Sequence, residues 1–327
     1  MKSKLLKILK FFVFLAIGGF LFWLVYKDQD IKKIKSVLEH GVDYKWVWVS
    51  LFLGILSHIS RTVRWSLMIE PLGKKPRMLN TFLAVMVGYL MNLVIPRMGE
   101  ISRCGVLARY EKMSFTKLLG TVVTERITDV IMLLILTFII LVSQFGEIIQ
   151  FLQNNPDILA KVYHILFSPI LIIVVAVLVI FVIIFRNKIS KLVFFEKLKE
   201  IINNFVEGLK TIKKMENKGW FIFHTIFIWF MYYLMLYVVF FSFDFTYNLS
   251  PIAGLTTFVL GSFGMVAPVQ GGIGAWHFMV TQSLMVYGVA KSDGLIFAFL
   301  AYTSMTALMV FMGLLSLLVL PFVNKRK

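Results

Sequence analysis

The sequence predicts an all-α polytopic membrane protein, and three observations carry that reading. The 327 residues are 59% hydrophobic and only 16% charged, with a mean hydropathy of +0.85, well outside the range of a soluble or disordered chain. Six stretches approach the roughly twenty apolar residues that cross a hydrocarbon layer as a helix: Phe11–Tyr26, Trp46–Ile69, Leu118–Val142, Tyr163–Phe185, Trp220–Phe243 and Leu295–Leu320. They are continuous Leu, Ile, Val and Phe runs, not the alternating segments of a β-barrel. Two further apolar regions are interrupted by proline and glycine, which predicts broken or re-entrant hairpins beside the full spans.

The first run follows Met1-Lys2-Ser3-Lys4, and Gly18-Gly19-Phe20 offers no small-residue cleavage site, so it is read as a retained signal anchor. Leu79–Ile95 stops at Pro96 and continues as Met98–Tyr110, whose Glu100, Arg103 and Arg109 make it too charged to span. Ile252–Ala267 stops at Pro268, passes Gly271, Gly272 and Gly274, and resumes as Ala275–Ala290. Residues 186–219, with apolar positions at helical spacing, predict a cytoplasmic amphipathic connection.

Thirty-four Lys and Arg against seventeen Asp and Glu leave a charge of +17. In a membrane protein that excess belongs in cytoplasmic loops facing anionic lipid, and no nucleic-acid partner is expected. With both termini cytoplasmic and each hairpin returning to its own side, the inner segments collect 26 basic and 7 acidic residues, and the outer ones 7 and 8. Each half of the chain, 1–142 and 163–320, then crosses an odd number of times, so the halves are expected to be inverted repeats. Corresponding starts lie 174, 173 and 177 residues apart, and 152 for the first pair. The expected location is the inner (plasma) membrane.

The polar candidates cluster from Asn92 to Asp129. Glu100 and Arg103, three apart, share a helix face, as do Glu125 and Asp129, four apart with Arg126 between them. Unpaired charge at membrane depth costs about 2.5–3.5 kcal/mol on insertion scales, so pairing or a wet cavity is expected. Arg109, Glu111, Lys112 and Lys117 are read as boundary residues that hold helices together. Arg97, Glu100, Arg103, Glu125, Arg126 and Asp129 are read as site residues. Arg61 and Arg64 share a face near the inner end of the second span, suited equally to hold a phosphate or to snorkel to the interface. Gly271, Gly272 and Gly274 precede a half-helix whose N–H groups would favour an anion, although glycines also serve as packing points. His277 is a candidate for headgroup contact or proton transfer, against the plainer role of a hydrogen-bonded structural histidine. The lone Cys104 rules out an intrachain disulfide. No metal or other cofactor is expected, and there is no phosphate-binding loop, zinc helix or nucleophile turn.

Three segments, Asn92-Leu93-Val94-Ile95-Pro96-Arg97-Met98-Gly99-Glu100-Ile101-Ser102-Arg103, Thr124-Glu125-Arg126-Ile127-Thr128-Asp129 and Pro268-Val269-Gln270-Gly271-Gly272-Ile273-Gly274, together resemble the lysylphosphatidylglycerol synthase transmembrane-region family. That family includes the flippase half of the bacterial multiple peptide resistance factor. The resemblance implies a flippase-like protein moving an anionic or modified phospholipid, or a lipid-linked headgroup, between leaflets. The full synthases carry a soluble aminoacyl-transferase domain after the membrane region. Here the sequence stops at Lys325-Arg326-Lys327, so synthesis of lysyl lipid is not expected. Where many relatives have a glutamate soon after the glycine motif, His277 stands here. The expected partner is a phospholipid with an anionic headgroup, moved with or without proton or cation coupling through Glu100, Glu125 and Asp129. The alternatives are an intramembrane lipid-modifying transferase and a non-catalytic partner that presents lipid to a separate synthase.

Overall fold

A computed structural model describes residues 16–27, 30–146, 149, 168 and 215–324. Among these, every regular element is helical. In chain order the principal helices are α1 (Ala16–Tyr26), α2 (Ile31–His40), α3 (Tyr44–Ile69), α4 (Met78–Val94), α5 (Met98–Glu111), α6 (Phe115–Ser143), α7 (Lys218–Tyr237), α8 (Pro251–Val266), α9 (Ala275–Val286) and α10 (Lys291–Val323). Tyr44–Leu72, Phe115–Ser143, Lys218–Ser242 and Lys291–Val323 are long and apolar enough to cross a membrane, and they coincide with four of the expected stretches. The first expected stretch is described from Ala16 onward. Apart from Ser168, the expected span Tyr163–Phe185 lies outside the described residues, as does residues 186–214 of the expected amphipathic connection.

The chain forms two compact units, one of residues 1–133 and 215–327, the other of residues 134–214. In the second, the described part is mainly the last turns of α6, where the Ser143 hydroxyl donates to the Ile140 carbonyl at 3.2 Å. The remaining description concerns the first unit.

Both interrupted regions fold as helical hairpins, and proline sets both breaks. Ile95 and Ala267, each preceding a proline, are extended, with ψ of 125° and 139°, because the proline ring disfavours the helical conformation one residue before it. At about 1.5 Å per residue the four arms α4, α5, α8 and α9, of 17, 14, 16 and 12 residues, each fall short of about 30 Å of hydrocarbon. Glycine lets the arms close. A Cβ on Gly99 would lie 2.2 Å from the carbonyl oxygen of Gly88, and one on Gly264 would lie 2.8 Å from Cα of Trp276.

The hairpins are rooted at opposite ends of the unit. At one end, Asn80 at the base of α4 donates to the Glu111 carboxylate and, at 2.9 Å, to the side chain of Asn324, which caps α10 and donates back at 2.8 Å. Lys74 donates to the Glu111 carbonyl there. These bonds give Glu111 the boundary role expected of it. At the other end, the amide of Asp43 donates to Ser242 (3.0 Å), and Tyr233 donates to the carbonyl of Pro251, where α8 begins (3.1 Å). Lys33 of α2 bridges to Asp293 of α10 at 2.7 Å. The α2 segment, within the lysine-rich stretch 27–45 that the charge count assigns to the outer side, is an amphipathic helix capped by Asp30, with Ile34, Val37 and Leu38 packed on the core.

α10 runs along both hairpins. Near its start, Ile296, Phe297, Ala298 and Tyr302 join Trp276, Val280 and Leu284 of α9 and Phe240 and Phe243 in the main core. Farther on, a Cβ on Gly313 would sit 2.5 Å from Cβ of Leu90 in α4. The hairpin tips meet: a Cβ on Gly271 would lie 2.7 Å from Cδ2 of Leu93.

Candidate functional site

Five helices of this unit converge on one buried cluster of charge. α3 contributes Arg61 and Arg64, three residues apart on one face, and α5 contributes Arg103. α6 contributes Glu125, Arg126 and Asp129. Tyr89 of α4 and Tyr232 of α7 close the cluster. Counted along the helices, Arg64 lies about 8 Å inside the end of α3, and Glu125 about 15 Å inside the start of α6, so the cluster lies within the length of two helices long enough to cross a membrane.

Glu125 is the centre, with no exposed side-chain surface. Its Oε1 accepts from Nε of Arg61 at 2.9 Å, from Nη2 of Arg61, and from Nη2 of Arg126 at 2.9 Å. Nη2 of Arg64 stands 3.5 Å from the same oxygen. Nη2 of Arg103 lies 2.9 Å from Oε2 but out of hydrogen-bonding line, so that contact is an ion pair and not a hydrogen bond. Four guanidinium groups thus meet one carboxylate, which removes much of the cost of holding cations away from water. Asp129 accepts from Arg64 at 2.9 Å and lies 3.3 Å from Nη2 of both Arg61 and Arg126. Nη1 of Arg61 donates to Tyr89 (3.0 Å) and Tyr232 (3.2 Å). The Arg103 guanidinium lies 4.6 Å above the Trp65 ring, and the Trp65 indole donates to Thr121 at 2.9 Å.

The donors outnumber the acceptors. A guanidinium carries five N–H groups, and among the described residues Nε and Nη1 of the buried Arg64 have no hydrogen-bond partner, nor has Nδ1 of His58. Unmatched donors on a wholly buried cation are costly in apolar surroundings and are suited to an incoming anion.

Of the remaining candidates, Glu100 stands at the edge of the cluster, 3.9 Å from Arg126. Asn92 closes the first hairpin, its Oδ1 accepting from the amide of Gly99 at 2.7 Å. Arg97 caps α5 at the tip, exposed and in the left-handed region at φ 62°, with no carboxylate within 4.0 Å among the described residues. The second hairpin is different in kind. Gly271, Gly272 and Gly274 do have positive φ, of 56°, 77° and 79°. The groups that a Cβ would meet there are Leu93 and Tyr302, Met265, and Leu21 with the backbone of Phe22, none of them an arginine. The Gly274 amide, expected to await an anion, donates to Nδ1 of His277 at 3.3 Å. His277 is buried in a ring of Phe22, Tyr26, Trp276 and Tyr302, with ring centres 4.5–5.7 Å away. That bond to the Gly274 amide follows from the short span between a turn glycine and the third residue of the next helix. Among the described residues no three of His, Cys, Asp and Glu gather as a metal site would need.

Tyr89, Tyr232, His58 and Trp65 were invisible as site residues in the sequence, because aromatic side chains in apolar runs read as core or belt. The available signal for His58 and Trp65 was their spacing of three and four residues from Arg61 on the same helix; Tyr89 and Tyr232 lie on other helices and gave none.

The fold and the cluster define a multi-pass α-helical membrane protein with two proline-broken hairpins and a buried arginine site. The chain belongs to the lysylphosphatidylglycerol synthase transmembrane-region family, which it matches over residues 9–313. It is also 26% identical, over 308 residues, to a UPF0104 membrane protein of Methanocaldococcus jannaschii, covering 89% of this chain and 87% of that one. No solved structure matches the chain.

Proposed function

We propose that the protein moves an anionic phospholipid, or another lipid-linked anionic headgroup, between the leaflets of the plasma membrane. The observation that carries this reading is the buried arginine surplus among the apolar helices, with two nitrogens of the wholly buried Arg64 left without hydrogen-bond partners among the described residues. A headgroup phosphate is rejected by hydrocarbon, and guanidinium forks are the side chains that best replace its hydration. Arg126, exposed at the edge of the cluster, and Arg97, exposed at the hairpin tip, are the first groups a headgroup meets, while its acyl chains stay in lipid.

Two hairpins rooted at opposite ends with touching tips, together with the near-constant offsets in sequence, support inverted halves built from 1–142 and 163–320. The charge asymmetry of the loops supports cytoplasmic termini. If transport is coupled to a proton or cation, Glu100 is the suited carrier, because its Oε2 is buried and has no hydrogen-bond partner, whereas Glu125 is held by arginines.

Purified protein reconstituted into vesicles with labelled phosphatidylglycerol tests the proposal. Transbilayer movement is expected to exceed that of protein-free vesicles and to fall about tenfold in Arg126→Gln, the scale of one charge-assisted hydrogen bond. Movement at the protein-free rate for phosphatidylglycerol, cardiolipin and phosphatidylethanolamine alike would overturn it.

A further inference from the structure

The cluster has a sealed floor and an open rim. Side-chain exposure is nil for Glu125 and Arg64, but 17% for Asp129, 25% for Glu100 and 45% for Arg126. The two acids bonded to the arginines are therefore unequal. Glu125 is gripped from several directions and cut off from the surroundings. Asp129 sits at the rim, where its single short contact is to Arg64 at 2.9 Å and its contacts to Arg61 and Arg126 are 3.3 Å, long for charge-assisted bonds.

Asp129 also occupies a place from which an anion reaches three arginines, Arg61, Arg64 and Arg126, together. We infer that Asp129 is a tethered stand-in for the substrate: in this state its carboxylate fills the position that the headgroup phosphate takes on loading, and it competes with that phosphate on release. The inference rests on the function proposed above and narrows its substrate class.

Charge and shape select the class. Arg61, Arg64, Arg103 and Arg126 set against Glu100, Glu125 and Asp129 leave the cluster at +1. A phosphodiester carries one negative charge on two free oxygens, as a carboxylate does, and its arrival brings the cluster to neutrality. A phosphomonoester dianion overshoots to a net negative charge in a low-dielectric site, and a cationic headgroup adds to the existing surplus. The assigned substrate class is thus a singly charged phosphodiester headgroup such as that of phosphatidylglycerol. No metal or covalent step is involved; one acceptor replaces another on the same donors.

The test compares wild type with Asp129→Asn, which keeps the shape and removes the charge, and with Asp129→Glu, which restores it. Binding of short-chain phosphatidylglycerol and phosphatidic acid is measured on the detergent-purified proteins by calorimetry, and movement of labelled phosphatidylglycerol is measured in vesicles. Asp129→Asn is expected to bind phosphatidylglycerol about tenfold tighter and to move it several-fold more slowly, because release loses its competitor. Its gain for phosphatidic acid is expected to be larger, because the loss of one carboxylate leaves the cluster at +2, which a dianion neutralises, and Asp129→Glu is expected to return both readouts toward wild type. A folded Asp129→Asn protein that binds phosphatidylglycerol equally or more weakly overturns the inference. So does failure of both Asp129→Asn and the smaller Asp129→Ser to fold, since a carboxylate displaced in every cycle is not indispensable to the fold. If the wild type neither binds nor moves any anionic lipid, the proposed function itself is wrong. If it moves them while Asp129→Asn shows no tightening, only the stand-in role is lost.

Discussion

The two hairpins share a backbone plan and differ in what they surround. Each is stopped by a proline, closed by a glycine and too short to cross the membrane. Around α4 and α5 the space is filled by guanidinium, carboxylate and phenol groups from five helices. Around α8 and α9 it is filled by Phe22, Tyr26, Trp276 and Tyr302 about a histidine that serves its own turn. A broken helix is therefore a scaffold and not in itself a binding site. What the break provides is a place at membrane depth where side chains from other helices gather, and only one hairpin uses that place for charge.

The largest effect expected from this contrast is at Glu125. Replacement by leucine leaves Arg61 and Arg64 buried against Asp129 and Arg103 with no carboxylate within 4.0 Å among the described residues, and breaking a buried ion pair from one side costs about 3–5 kcal/mol. Yield of folded protein and the thermal midpoint in detergent are expected to collapse. Adding Arg103→Met is expected to recover part of the loss, because it removes one of the stranded cations. Replacing a buried residue of the second hairpin such as Val280 by leucine, with no charge stranded, is expected to cost far less.

The glycine crossings come next and compare the hairpins on equal terms. In Gly99→Ala the new methyl meets the Gly88 carbonyl at 2.2 Å and the Asn92 amide at 2.5 Å, and backbone cannot swing aside. In Gly264→Ala the nearest atoms are Cα of Trp276 at 2.8 Å and the Ala275 carbonyl at 2.9 Å. Both are expected to destabilise by about 1–3 kcal/mol, Gly99→Ala by more. Equal thermal shifts would show that the first hairpin yields more readily than its contacts suggest.

The tip contact gives a smaller but more specific result. Gly271→Ala places a methyl 2.7 Å from Leu93 and forces φ 56° on a residue with a side chain, at a cost of about 1–2 kcal/mol. Combined with Leu93→Ala, the steric part due to Leu93 is expected to vanish, while the conformational part and the 2.9 Å approach to the Tyr302 hydroxyl remain. Strict additivity in this cycle would mean that the two tips do not press on each other in the membrane.

Much of this contrast was legible in the sequence, in a definite order. The apolar runs and the X-Pro breaks are properties of short windows, and the elements they predict are present wherever the structure describes them. The charged half of the site was legible too, because Arg61, Arg64, Arg103, Glu125, Arg126 and Asp129 are conspicuous against an apolar background. Two things were not. The α2 helix was hidden because five lysines among residues 27–45 dominate its composition, while its apolar positions are few. The surroundings of the two breaks were not legible either: Gly271 to Gly274 and Pro96 to Glu100 announce the same backbone event, yet which side chains surround each depends on packing between distant helices. Tyr89 and Tyr232, 143 residues apart, meet only in three dimensions.

His277 sharpens the comparison with the mildest change. In the first hairpin a buried polar residue faces other charged side chains, and in the second this histidine faces rings and one amide, that of Gly274. His277→Phe is therefore expected to keep the ring packing with Phe22, Tyr26 and Tyr302 and lose only the acceptor for the Gly274 amide, a change of about 1 kcal/mol. The measurement is a thermal midpoint in detergent together with lipid movement per folded molecule in vesicles. The expected outcome is a small drop in the first and none in the second, across pH 5 to 8, where an exposed histidine would titrate. A variant that is as stable as wild type but moves lipid more slowly would assign His277 to the substrate path, and the second hairpin would then share the chemistry that the geometry concentrates in the first.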